Sequence, residues 1–134
     1  MPRLYREMPL NSIWEGSGNV MCLDVLRAIQ RTPESLEMLL AELREAAGAD
    51  ARLARFIASL EADLADHNGL ETRARRLTER LVLALQAALL VRHAPAAVAD
   101  AFCASRLDRD WGGAFGTLPP GADARAIAER ALPA

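Results

Sequence analysis

The chain contains no lysine, few aromatic residues and only two cysteines. All sixteen of its basic residues are therefore arginine, which excludes a phosphate-binding loop of the kind that needs a lysine. No apolar run reaches the roughly 18 residues needed to span a bilayer, and no apolar segment follows the charged N-terminus as it would in a signal peptide. With 134 residues, 51% of them apolar, the sequence predicts one soluble, cytoplasmic domain that buries a core.

The cysteines and histidines do not form a pattern typical of a metal site. Cys22 and Cys103 lie in apolar helical segments, so we expect buried free thiols in a reducing cytoplasm. His67 and His93 both fall at predicted helix ends, where a histidine caps the last turn more often than it binds a metal. The glycine-rich segment 111–116 is interpreted as a flexible connection with two aromatic anchors.

Prolines, glycines and apolar spacing divide the chain into helices. Pro2 and Pro9 predict an extended lead-in over residues 1–15. The helical bundle is expected over 16–107, and a loop and a short closing helix over 108–134. The expected helices are 16–30, 33–47, 50–66, 69–93, a fifth after Pro95, and 123–132. No strand pattern or repeat is present, so the fold class is all-α, an antiparallel bundle of about five main helices.

Charge is spread unevenly along the chain. Residues 33–66 hold eight acidic residues against three arginines, whereas residues 69–93 hold five arginines against two glutamates. The arginines can be solvated or paired with the acidic helices. Alternatively, four of them on one helix can contact the phosphates of duplex DNA weakly, in a salt-dependent manner and without sequence preference: Arg73, Arg75, Arg76 and Arg80.

The second half of the helix 69–93 is apolar almost all round. Residues 81–91 contain one polar side chain, Gln86. A helix of this kind is surrounded by other helices or lies in a subunit interface. Because five short helices offer little surface to cover it, we expect a dimer or tetramer with this helix or the first one at the interface.

The most informative motif is Trp-Glu-Gly-Ser-Gly-Asn at residues 14–19, where a loop turns into an apolar helix. Unpaired backbone N–H groups at a helix start favour an anion. Glu15 is a candidate catalytic base, or an acid that only complements the helix dipole. Ser17 offers a hydroxyl, Gly18 permits close approach of a ligand, and Asn19 offers a donor and an acceptor. The alternative is an ordinary N-cap turn.

Residues 2–27, which include this motif, resemble the C-terminal helical part of acyl-CoA dehydrogenases, in the AidB-like branch associated with DNA alkylation. Most members carry a Tyr-Glu-Gly-Thr type motif here. The resemblance implies that Glu15 is the base that removes the α-proton of an acyl thioester. It also implies a flavin-contacting loop made of Ile13, Trp14, Gly16, Ser17, Gly18 and Asn19. Ser17 keeps the usual hydroxyl, whereas the larger ring of Trp14 leaves the acyl substrate undefined.

By this resemblance, the chain contributes the catalytic glutamate, part of the FAD site and the oligomer contacts of an FAD-dependent enzyme acting on acyl-CoA. We expect the chain alone to be inactive, because the rest of the flavin and acyl pocket is missing from it. The alternative is a DNA-binding or oligomerisation module in which the flavin motif is a remnant.

Overall fold

All regular elements that the structure describes are helices. The structure is a computed structural model, and it describes residues 2–12, 17–108 and 121–131. The α-helices are α1 (Pro2–Glu7), α2 (Gly18–Arg31), α3 (Pro33–Ala47), α4 (Ala51–Ala65), α5 (Ala74–His93), α6 (Ala96–Phe102) and α7 (Ala124–Ala131). Short 3-10 turns cover Met8–Ser12 and Glu71–Arg73, and a π-helical turn covers Cys103–Leu107. The predicted all-α bundle is confirmed.

The helix boundaries follow local signals. Only Thr32 separates α2 from α3, which begins at Pro33. Proline is favoured at this position because it has no N–H group, and N–H groups in a first turn have no partner within the helix. Asp50 caps α4, where its side chain accepts hydrogen bonds from the N–H groups of Arg52 and Leu53. After α4 the chain turns at Gly69, whose φ of +60° is the left-handed conformation that favours glycine.

Helix α5 lies at the centre of the bundle and packs against α2, α3, α4 and α6. The main core is formed by α3, α4, α5 and the π-helical turn. Its largest fully buried side chains include Leu43, Leu53, Leu60 and Cys103. Burial of these mostly leucine and alanine side chains stabilises the packing of the helices.

A second, smaller cluster joins α2 to the first half of α5. Leu26, Ala74 and Leu77 are buried in it, and Leu23 and Leu70 pack around them. Leu77 is only 1% exposed. This cluster determines where the start of α2, and with it the end of the motif, lies relative to α5.

One expectation about local structure was wrong. Residues Pro2–Glu7 form α1 and Met8–Ser12 a 3-10 turn, instead of an extended lead-in. Proline is tolerated in a first turn, and the Arg3–Glu7 ion pair (3.0 Å) supports the helix at i, i+4 spacing. No residue of α1 is buried. The π-helical turn at Cys103–Leu107 has no signal in the sequence that predicts it.

The apolar half of α5 is covered more fully than the sequence suggested. Leu81, Ala84, Ala87 and Ala88 are buried by the other helices of the same chain. The exposed apolar side chains of this half are reduced to Val82 and Leu89, which are 47% and 45% exposed. Small alanines let neighbouring helices approach closely enough to cover most of this half.

Candidate functional site

The described part of the motif forms the first turn of α2. Ser17 is the N-cap residue, with φ −67° and ψ 157°, and its hydroxyl makes no capping hydrogen bond. Ser17, Gly18 and Asn19 are all exposed, and the first turn contains no acidic residue. An exposed helix start whose described first turn carries no carboxylate is suited to an anion.

Arg75 of α5 lies directly against this turn. Its Nη1 donates a hydrogen bond to Asn19 Oδ1 at 2.8 Å. A Cβ placed on Gly18 would lie 3.6 Å from Arg75 Nη2, so the guanidinium packs over the glycine. The structure thus brings together two sets of residues that the sequence treated separately, the end of the flavin-motif segment and the basic helix.

The remaining motif residues, Ile13, Trp14, Glu15 and Gly16, lie outside the described residues, as does the segment 111–116. Their predicted roles rest on the resemblance alone. A cavity of about 620 Å³ lies beside the described end of the motif, between α2 and α5, and its lining includes Gly18, Cys22, Arg75 and Val82.

Two of the four arginines predicted to contact DNA are engaged inside the bundle. Arg73 donates to the backbone oxygens of Asp63 (3.3 Å), Asp66 and Asn68 (3.0 Å), so it caps the end of α4. Arg80 is 7% exposed, donates to Ser59 Oγ at 2.9 Å, and its guanidinium lies 4.7 Å from the ring centroid of Phe56. Neither is presented on the surface as a phosphate contact requires.

The other two arginines of that set, Arg75 and Arg76, are exposed. Arg75 is bonded to Asn19, and Arg76 Nε lies 3.7 Å from Asp63 Oδ2. The interpretation that the basic helix pairs with the acidic one before it holds for these contacts to Asp63 and Asp66. DNA contact therefore stays a prediction, and within this set only Arg75 and Arg76 are placed to make it.

The expectation that both cysteines are buried was wrong for Cys22, whereas the histidines lie near helix ends as expected. Cys103 is buried, and this burial raises the pKa of its thiol to about 11, while Cys22 is partly exposed. Both are free thiols. His67 and His93 are exposed at the ends of α4 and α5. Among the described residues, no three histidine, cysteine or acidic side chains form a group that could hold a metal ion.

An ion-pair cluster that the sequence did not reveal lies at the start of α4. Arg52 Nη2 donates to Asp50 Oδ2 at 2.6 Å and to Asp100 Oδ1 of α6 at 2.8 Å. The hydrogen bond from Arg52 lowers the pKa of Asp50, and the N–H groups of Leu53 and Arg52 lower it further. The cluster fastens α4 to α6 and is structural, since it lies away from the start of α2.

The Asp50→Asn variant is expected to be less stable by about 1 kcal/mol at pH 7, and less sensitive to acid. The lowered pKa of native Asp50 stabilises the fold above the unfolded-state pKa of about 3.9, and this contribution is lost as the pH falls through the native value. Urea unfolding at pH 7 and pH 3 measures both effects. Asp24→Asn, at an exposed pair with Arg27, is the control and should change stability little.

None of the helices in the described ranges is long and apolar enough to cross a membrane. No family model matches the chain. A curated protein nevertheless shares part of its sequence. The chain is 39% identical over 112 residues to "Putative acyl-CoA dehydrogenase AidB" of Escherichia coli (strain K12). This similarity covers 84% of the chain but only 20% of that relative, so the chain spans about a fifth of its length.

Proposed function

We propose that this chain is the C-terminal helical part of an FAD-dependent, AidB-like acyl-CoA dehydrogenase. The observation that carries the proposal is the contact of Arg75 with Asn19, in a chain related to AidB over 84% of its length. This contact fixes the residue at the end of the motif to the basic end of α5. The proposed reaction is oxidation of a CH–CH bond next to the thioester of an acyl-CoA, in the cytoplasm.

The residues at the start of α2 fit the anionic part of a flavin cofactor. Ser17 offers a hydroxyl that makes no capping bond, and Gly18 lets the guanidinium of Arg75 lie close to the start of the helix. The guanidinium of Arg75 adds positive charge beside the N-terminus of the helix. These residues would hold the cofactor, together with Ile13, Trp14, Gly16 and Asn19.

When bound, FAD supplies the hydride acceptor for the β-hydrogen of the substrate. Glu15, in the proposed role, removes the proton from the carbon α to the thioester. For this it must be ionised and shielded from bulk water. Arg75 acts as a positioning residue, because it holds Asn19 and therefore the segment that follows Glu15.

Arg75→Gln in the full-length protein is expected to weaken FAD retention by about tenfold or more, since it removes a charge and the hydrogen bond to Asn19. Bound flavin is measured by absorbance after gel filtration. Arg27→Gln removes the same charge from an exposed site on α2 and should leave flavin content unchanged. If both Arg75→Gln and Asn19→Ala retained FAD as the unsubstituted protein does, the contact between Arg75 and Asn19 would have no role in cofactor binding.

We further propose that the intact protein is a homo-oligomer, a dimer or tetramer, with α5 at an interface. Val82, Gln86 and Leu89 recur at spacings of four and three residues, and the two apolar side chains are nearly half exposed. A stripe of this kind buries apolar surface when it packs against a second copy.

Val82→Glu combined with Leu89→Glu is expected to convert the oligomer to monomers, because the interface would bury four or more carboxylates. Sedimentation velocity over a range of protein concentrations measures this shift. Met38→Glu changes a 74% exposed methionine on α3 and should leave assembly intact. An unsubstituted chain that sediments as a monomer at high concentration would rule out the interface.

A further inference from the structure

A second cavity lies between the C-terminal half of α2, the start of α3 and the end of α4. Its volume is about 520 Å³, which is in the range of small-molecule sites. Six apolar side chains line it: Leu26, Ile29, Pro33, Leu36, Leu64 and Leu70. They are distinct from the side chains that line the cavity beside the motif. We call this second cavity the apolar cavity.

The apolar cavity lies where the two apolar clusters of the fold meet. Leu26 is a buried member of the small cluster, whereas Ile29 and Leu36 pack against the main core. Leu64 packs against both clusters. The cavity is therefore continuous with the interior of the bundle. Because protein interiors are closely packed, an apolar molecule of matching size would gain van der Waals contacts with both clusters.

The dimensions of the cavity favour a small molecule over a protein partner. A docked helix needs a groove that takes apolar side chains over two or more turns. The cavity is shorter, since α2 lines it only from Leu26 to Gln30 and α3 only from Pro33 to Leu36. Its leucines are also recessed, because Leu26 is 6% exposed and Leu36 is only partly exposed.

The polar groups at the cavity favour an uncharged ligand. Gln30 and His67 line it and are exposed, so their amide and imidazole groups lie at its mouth and can form hydrogen bonds. The carboxylate of Asp66, which precedes His67, is paired with Arg73 at 3.4 Å. Among the described residues, the lining includes no acidic side chain and no arginine. A charged group buried there would lack an ionic partner, which is costly.

We propose that the apolar cavity binds a small uncharged amphiphile. The apolar part of the ligand fills the cavity, and a hydroxyl, carbonyl or amide group at its end bonds to Gln30 or His67 at the mouth. Apolar contact supplies most of the affinity, and the polar group determines the orientation. A bound molecule joins α2 to α3 and α4, so it should also slow local opening of these helices.

The proposal is tested by calorimetric titration of the 134-residue chain with n-octanol below its solubility limit, and with octanoate under the same conditions. We expect saturable binding of n-octanol. Octanoate has a chain of the same length but carries a charge, so it should bind about tenfold or more weakly. In the presence of n-octanol, amide hydrogen exchange should slow near Leu26 in α2 and near Leu36 in α3.

Two blocking variants and one matched control test the location of the site. Leu36→Phe places a larger side chain in the cavity and should weaken n-octanol binding by about tenfold or more. Leu70→Phe enters the cavity from the segment between α4 and α5 and should have the same effect, so the test does not depend on one variant folding. Met38→Phe adds the same ring at a 74% exposed position of α3 and should bind as the unsubstituted chain does.

A double variant tests the polar mouth. Gln30→Leu combined with His67→Leu removes both hydrogen-bonding groups from exposed positions and should weaken n-octanol binding several-fold. Absence of saturable n-octanol binding, octanoate binding of equal strength, or equal weakening by Met38→Phe would each overturn the proposal. So would a change of assembly state in Leu36→Phe without n-octanol binding, because the cavity would then hold a protein surface. These measurements do not involve FAD, so the proposal fails separately from the proposed function.

Discussion

Glu15→Gln in the full-length protein is expected to slow α-proton abstraction by about 10²- to 10⁴-fold while FAD stays bound. Glutamine keeps the size of the side chain and loses its basicity, so the change isolates the proton transfer. Two measurements under anaerobic conditions report it: exchange of the α-proton of an acyl-CoA with solvent, and bleaching of the flavin absorbance on substrate addition.

The flavin content of the variant decides between a catalytic and a structural role for Glu15. Loss of a catalytic base should leave FAD content unchanged, because the proposed cofactor contacts of Ser17, Asn19 and Arg75 are kept. Equal loss of activity and flavin would show that Glu15 supports the loop. Glu7→Gln, in the exposed pair with Arg3, removes a carboxylate from the same end of the chain and is expected to change neither quantity.

Local signals were sufficient to predict the helices of the bundle. Pro33 after Thr32 gave the start of α3 to the residue, and Gly69 supplied the left-handed turn after α4. Apolar residues recur at helical spacing along α3 and α4, and they include the core leucines Leu43, Leu53 and Leu60. Each of these signals acts within a few residues along the chain, which is why the sequence alone reveals them.

The burial of charged side chains was not predictable in the same way. Four arginines on one helix look alike in the sequence, yet Arg73 caps α4 and Arg80 is buried against Phe56. Whether an arginine is buried or exposed depends on partner residues that lie 5 to 24 positions away along the chain, and on the angle at which two helices pack. Hydrophobic spacing determines which face of α5 is inside, but it does not determine which long polar side chain reaches back into that face.

The candidate site was predictable only in its parts. The sequence identified the loop-to-helix turn at residues 14–19 and the basic helix, but no pattern connects Asn19 with Arg75, which is 56 residues away. The contact exists because Leu26, Ala74 and Leu77 pack α2 against α5. The small cluster is therefore the physical link between the core and the proposed cofactor site.

Leu77→Ala is expected to destabilise the fold by about 2–5 kcal/mol and to release α2 before the rest of the bundle. Leu77 is 1% exposed, and among the described residues its cluster contains two other buried side chains, Leu26 and Ala74. A cavity there removes most of the apolar contact between α2 and α5, whereas the main core of α3, α4 and α5 keeps its own leucines. Urea unfolding gives the stability, and amide hydrogen exchange gives the order of release.

Leu60→Ala is the matched comparison, since Leu60 is also fully buried but lies in the main core. Leu60→Ala should lower the free energy of unfolding by a similar amount. The ratio of amide exchange rates between α2 and α5, however, should remain that of the unsubstituted chain. In the full-length protein only Leu77→Ala should lower FAD retention at temperatures where both variants are folded, because only it loosens Asn19 from Arg75. Equal amide exchange rates in α2 for the two variants would show that other contacts hold α2 against α5. The cluster of Leu26, Ala74 and Leu77 would then not position the motif.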